Sequence, residues 1–174
     1  MRIFLIGFMG SGKTTLGKQL AKKLCYQFVD QDTLIEERLK MSVGDIFATY
    51  GENRFRLEER EVLLSFETST NLVVSTGGGA PCFFDNIGIM NTLGCSIYLK
   101  AEPKTLANRL KNSQNTRPLI IGKSEQELLD YISAKLFERE PFYNQATVSI
   151  QSINLTVSDI ILVLNESLIL PPKA

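Results

Sequence analysis

Histidine is absent from this chain. That absence removes every mechanism that runs through an imidazole base, the serine–histidine hydrolases and the His-Arg-Asp loop of protein kinases included. Any proton transfer must fall to a carboxylate, a lysine, a tyrosine or water. Cysteine is scarce: Cys25, Cys82 and Cys95 stand far apart with no Cys-x-x-Cys spacing. That pattern argues against a zinc site or a disulfide scaffold and leads us to expect a reducing, cytoplasmic setting. Surplus charge is lacking too. Lysine and arginine number 19 against 19 for aspartate and glutamate, so neither nucleic acid nor an anionic membrane surface is expected as a partner. Long hydrophobic runs are also missing. The most apolar C-terminal stretch, Ile160 to Leu164, is interrupted by Asn165 and Glu166 and cannot span a bilayer. The opening apolar run is short and passes straight into a glycine-rich turn, so no secretory signal is expected.

What remains is ordinary globular material. At 174 residues, with 44% hydrophobic and 22% charged side chains, the chain suits one domain with a real core and is short for two. Short uninterrupted apolar runs at Ile3–Ile6, Phe28–Val29, Leu72–Val74, Cys95–Leu99 and Val148–Ile150 read as buried parallel strands. Amphipathic stretches lie between them: Thr15–Leu24, Leu34–Leu39, Val43–Ala48, Phe55–Phe66, Asp85–Leu93, Pro103–Leu110, Glu125–Phe137 and Val157–Leu168. Alternating strands and helices predict a three-layer α/β fold, a doubly wound parallel sheet covered on both faces. The last helix is expected to cover the sheet, with Pro171 to Ala174 a frayed end. No repeat, low-complexity block or linker marks a second domain over residues 1–174. Nothing demands a partner chain, so a monomer is expected.

The most informative stretch is Gly7-Phe8-Met9-Gly10-Ser11-Gly12-Lys13-Thr14. It follows the first apolar run and opens the first helical one, the strand–turn–helix context that a phosphate-binding P-loop requires. Its glycines let successive backbone N–H groups point inward at phosphate oxygens, and the positive end of the helix dipole faces the same anion. Lys13 would reach the β- and γ-phosphates, and the Thr14 hydroxyl would ligate Mg²⁺. A nucleoside triphosphate is the predicted ligand.

Other features fall at the carboxyl ends of the predicted strands, where a parallel α/β sheet binds its ligands. Asp30-Gln31-Asp32 follows the second strand, and its carboxylates can divide between a metal and a substrate hydroxyl, although aspartate is also a common helix N-cap. Gly77-Gly78-Gly79 follows the third strand and is expected to let a ligand approach bare backbone. Arg56, Arg117 and Arg139 supply guanidinium forks of the kind that bind carboxylates and phosphates at two points. The polar, aperiodic run from Asn112 to Ser124 reads as a long loop, and a water-excluding lid is the role expected of it.

Gly7 to Thr14, Asp30-Gln31-Asp32, Phe55-Arg56, Gly77-Gly78-Gly79, Arg117-Pro118-Leu119 and Arg139 occur in the order and approximate spacing of the shikimate kinases. The chain resembles that family from Arg2 to about Tyr143. The resemblance implies ATP-dependent phosphorylation of the 3-hydroxyl of shikimate, on the route to chorismate and the aromatic amino acids. It also implies the nucleoside monophosphate kinase fold, with five parallel strands in the order 2-3-1-4-5. Carried over, Gly10, Ser11, Gly12, Lys13, Thr14 and Thr15 would hold ATP, with Thr14 and Asp30 at Mg²⁺. Asp32 and the glycines Gly77, Gly78 and Gly79, above all the backbone at Gly78, would hold shikimate hydroxyls, with Arg56 and Arg139 on its carboxylate. Arg117 would come from the lid to the phosphates, and Arg109 would lie near the adenine. Lys13, Asp32 and Arg117 would be the catalytic set. Family members often carry an arginine after the last strand, and Gln151-Ser152-Ile153-Asn154-Leu155 has none.

The nearest rival is a small-molecule kinase of the same fold, such as a gluconate kinase-like enzyme, which has no evident use for the triple glycine with Phe55-Arg56 and Arg139. A GTPase-like switch would show an Asn-Lys-x-Asp motif, which is missing here. Replacing Lys13 with alanine is expected to lower turnover by roughly a hundred- to a thousandfold while leaving the fold intact. Steady-state ADP release by the folded variant measures this, and unchanged turnover would remove the P-loop assignment.

Overall fold

The computed structural model describes residues 1–112 and 122–167. Its strands, β1 (Arg2–Ile6), β2 (Gln27–Asp30), β3 (Leu72–Ser75), β4 (Cys95–Lys100) and β5 (Val148–Gln151), form one parallel sheet in the order β2-β3-β1-β4-β5. The order is the one the resemblance implies. β1 lies at the centre, with Ile3 opposite Val73 on one side and Cys95 on the other.

Successive side chains of a strand point to opposite faces, so a strand covered on both must be apolar throughout. β1 is such a strand, with Ile3, Phe4, Leu5 and Ile6 all fully buried. Ile3 and Leu5 pack with Leu20 and Ala21 of α1 (Lys13–Leu24) and with Ile160 and Leu164 of α7 (Val157–Glu166). Phe4 and Ile6 meet the remaining helices on the other face: α2 (Gln31–Leu39), α3 (Val43–Ser65), α4 (Asn86–Leu93), α5 (Pro103–Lys111) and α6 (Glu125–Tyr143). β2 is an edge strand and only partly buried, so its apolar run is shorter.

Local chemistry starts several of these helices. Ser42 accepts from Asp45 N at the start of α3. Ser124 with Glu127, and Thr156 with Asp159, form capping boxes at α6 and α7. One expectation holds and one changes. The amphipathic stretches Val43–Ala48 and Phe55–Phe66 fall in two helical segments of α3, parted at Gly51, which leaves the helical region with φ of 77°. Helix α6 does not stop near Phe137 but runs to Tyr143 through Pro141. Proline removes the N–H that the Phe137 carbonyl would accept; Phe137 and Pro141 are both exposed, so water can satisfy that carbonyl. Most of the expected lid, including Arg117, Pro118 and Leu119, lies outside the described residues, as do Leu168 and Pro171 to Ala174. No described helix is long and apolar enough to cross a membrane.

At the amino end of the sheet, Arg2 gathers three carbonyls. It donates to Ser69 O at 2.7 Å, to Leu93 O at 2.6 Å and to Glu67 O, tying β1 to the segment before β3 and to the end of α4. Arg2→Ala is expected to lower stability by about 1–3 kcal/mol, since charged hydrogen bonds are lost and the carbonyls are left to partial solvation. Urea unfolding checks this, and an unshifted midpoint would contradict the lock.

Candidate active site

The turn between β1 and α1 has the backbone its glycines allow. Gly7, Gly10 and Gly12 hold φ of 137°, 81° and 101°, in the region that side chains disfavour. The path is tight, since a Cβ on Gly7 would stand 2.9 Å from Leu99 O. Lys13 is nearly buried and spans the loop, donating to Gly7 O at 2.8 Å and Phe8 O at 3.0 Å. No acidic side chain occupies the first turn of α1, so its N-terminal N–H groups and dipole face the cleft without a competing anion.

Thr14 Oγ1 lies 3.1 Å from Asp30 Oδ2 and 3.2 Å from Ser75 Oγ. Asp30 occupies the N-cap position of α2, yet its side chain makes no cap bond and turns to Thr14 instead. The capping role open to these aspartates is therefore not taken by Asp30. Asp32 sits in the first turn of α2.

Lys13, Thr14, Thr15, Asp30, Asp32 and Gly78 line one cleft of about 690 Å³ with Gly10, Ser11, Gly12 and Arg109. At its far end Arg109 donates to Ser152 O at 2.7 Å, to Ser152 Oγ at 3.2 Å and to Gly10 O and Ser11 O at 3.3 Å. It thereby braces the glycine-rich loop between β1 and α1 against the segment after β5. Ser152, Asn154 and Leu155 of that segment also line the cleft. The site thus has a wall in the very place where no arginine stands.

Behind Gly78 lies a buried cluster of charge. Arg56 is only 8% exposed, and its guanidinium lies 4.1 Å from the Phe83 ring. Glu59 accepts from Arg56 Nη1 at 2.7 Å, and the half-exposed Glu52 accepts from Nη2 at 2.7 Å and Nε at 3.1 Å. Arg139 sits over the Phe8 ring at 5.4 Å and faces Gly78. Two of the three glycines are explained by these side chains rather than by a ligand. A Cβ on Gly77 would collide with Glu59 Oε1 and stand 2.9 Å from Asp32 Oδ1; one on Gly79 would stand 2.8 Å from Arg56 Nη2. Of the three, Gly78 alone is on the cleft wall.

Glu59 is the site residue that the sequence reading missed. It is fully buried, and its Oε1 accepts no hydrogen bond among the described residues. Burial pushes its carboxyl up to about 7, Asp32 adds to the rise, and Arg56 and Arg139 oppose it. Its signal was its place three residues after Arg56, on the same helix face. Gln31, also missed, is buried and joins Glu59 O at 2.9 Å to Gly77 N at 3.3 Å. Cys82, beside this cluster, is pushed up to about 11 by burial and stays a thiol. All three cysteines are free.

The family model described as shikimate kinase matches residues 9–167. A curated shikimate kinase from Bacteroides fragilis is 49% identical over 146 residues, spanning 84% of this chain and 82% of that protein. The crystal structure of the shikimate kinase from Bacteroides thetaiotaomicron has a TM-score of 0.90 at 42% identity, covering 98% of this chain and 99% of its own. A shikimate kinase from Acinetobacter baumannii in complex with shikimate has a TM-score of 0.83 at 32% identity, covering 98% and 95%.

The raised carboxyl of Glu59 has a sign that can be checked. Between its ordinary 4.5 and about 7 the folded chain holds this proton more tightly than the unfolded chain does. The stability it contributes is full below 4.5 and is lost as pH rises to about 7. Unfolding free energy measured across that range is expected to decline more steeply in the parent than in Glu59→Gln, which cannot ionise. Equal slopes would contradict the assignment.

Proposed function

The chain belongs to the shikimate kinase family and phosphorylates the 3-hydroxyl of shikimate with ATP, and we propose that the cleft and the charged cluster behind Gly78 divide that work. The phosphate loop takes the nucleotide, and the Asp32–Gly78 side takes the acceptor. The observation that carries this reading is that Lys13, Asp32 and Gly78 share the walls of one cleft. A transferable phosphoryl group and an attacking hydroxyl must meet in such a space.

On the nucleotide side, Gly10, Ser11, Gly12, Thr14 and Thr15 surround the phosphates, and Lys13 carries positive charge to the β- and γ-oxygens. Arg109 is already braced by the protein and offers a fixed guanidinium face to the base. The corner of Thr14, Asp30 and Ser75 fits Mg²⁺, which takes oxygen donors and keeps waters and phosphate oxygens as its remaining ligands. The described residues hold no cluster of three or more His, Cys, Asp or Glu side chains suited to a metal, as befits an ion held largely by the nucleotide. Bound there, Mg²⁺ would neutralise charge on the β- and γ-phosphates.

On the acceptor side, Arg56 and Arg139 face the carboxylate of shikimate, and the backbone at Gly78 meets a ring hydroxyl. Glu59 and Glu52 hold Arg56 from either side, so its fork is oriented in advance. Asp32 orients the 3-hydroxyl and accepts its proton late, once the oxygen has become acidic. Arg117 belongs to this proposal through the family resemblance, as the residue that reaches the phosphates when the lid closes. The three free cysteines suit a reducing cytoplasm, and a single catalytic domain acting as a monomer suffices for all these roles.

ADP release from Mg–ATP, with shikimate, gluconate or no acceptor added, tests the reading. Release is expected with shikimate alone, and Asp32→Asn is expected to lower kcat by roughly a hundred- to a thousandfold. Equal release with gluconate, or without acceptor, would discard the acceptor site.

A further inference from the structure

The triple glycine after β3 is the most pliable backbone in the site, yet every one of its carbonyls is held. Gly77 O accepts from Ala80 N at 3.1 Å and Gly79 O from Cys82 N at 2.9 Å, both local turns. Gly78 O accepts from the Tyr143 hydroxyl at 2.5 Å, across 65 residues of chain. Tyr143 ends α6 and is fully buried, with its ring 5.0 Å from that of Tyr98. Arg139, one helical turn earlier on α6, lies beside the same glycine: its Nη1 would stand 3.6 Å from a Cβ on Gly78. The Tyr143 hydroxyl therefore ties the Gly78 carbonyl to the helix end that carries the arginine.

We propose that Tyr143 is a positioning residue whose hydroxyl fixes Gly78 and Arg139 relative to each other, so that a hydroxyl and the carboxylate of shikimate are gripped at a set separation. The inference rests on the acceptor-site reading above. A glycine between two glycines has wide backbone freedom. Without the Tyr143 bond, that freedom would have to be lost at each binding event, which weakens affinity. Tyr98 provides the contrast. Its hydroxyl is buried in the same ring pair but hydrogen-bonds to nothing among the described residues. Removing it changes the packing equally and the acceptor site not at all.

The test compares Tyr143→Phe, Tyr98→Phe and Arg139→Ala by KM for shikimate, KM for ATP, kcat and Tm. Tyr143→Phe is expected to raise the shikimate KM about tenfold, the scale of one buried hydrogen bond left unmade, with the ATP KM unchanged. Tyr98→Phe is expected to leave both constants alone, and Arg139→Ala to raise the shikimate KM. An unchanged shikimate KM in Tyr143→Phe, beside a raised one in Arg139→Ala, overturns the inference and leaves the acceptor site standing. Equal rises in the two phenylalanine variants assign the effect to packing and overturn it as well. So does a Tyr143→Phe chain that fails to fold where Tyr98→Phe folds. An unchanged shikimate KM in Arg139→Ala removes the acceptor-site reading, and the inference with it.

Discussion

A guanidinium taken out of water must be met by carboxylates held in place, and the burial of Arg56 imposes that demand on everything around it. The desolvation of such an ion costs several kcal/mol, recovered only with good geometry and satisfied hydrogen bonds. Glu59 and Glu52 supply the geometry from one and the same helix, three residues after and four residues before Arg56. Their bulk then dictates the facing loop, because any side chain at Gly77 or Gly79 would occupy the space of Glu59 or Arg56. The loop that results is soft, and it is pinned from outside by Gln31 and Tyr143. Charge, glycine and clamp form one causal sequence.

The parallel sheet brings this cluster beside the glycine-rich turn after β1. With β1 between β3 and β4, the turn after β1 and the turn after β3 emerge side by side. The segments after β2 and β5 flank them, so four separate stretches of chain reach a single cleft. In the proposed division, the nucleotide side would depend on backbone N–H groups and a helix end, and the acceptor side on side-chain forks. That division matches the ligands: a phosphate chain accepts many donors in almost any order, whereas a small carboxylate needs a pair at fixed spacing.

Much of this was legible in the residues. The Gly7–Thr14 stretch is a contiguous motif, and β1 announces itself by four consecutive apolar residues, Ile3 to Ile6. Asp30 and Asp32 could be located because they follow a strand. Glu59 could not be singled out, since Glu58, Glu59 and Glu61 look alike in a string and only the helix face separates them. Glu58 is also buried but turns toward Arg54 and Arg38. Tyr143 and Gln31 act through contacts distant in sequence, which no local pattern encodes. The periodicity read from Glu125 stopped at Phe137, whereas α6 continues through Pro141, which sits on an exposed side where the missing bond is tolerated. The triple glycine was expected to admit a ligand to bare backbone, but what approaches Gly77 and Gly79 is the protein's own charge.

We propose that a pre-oriented arginine fork, and not positive charge alone, selects the acceptor. Calorimetric titration of shikimate into Arg56→Lys beside the parent chain tests it most directly, because lysine keeps the charge and loses the fork. Shikimate affinity is expected to fall by about tenfold or more while ATP affinity is unchanged. Equal shikimate affinity in a folded Arg56→Lys protein would contradict it.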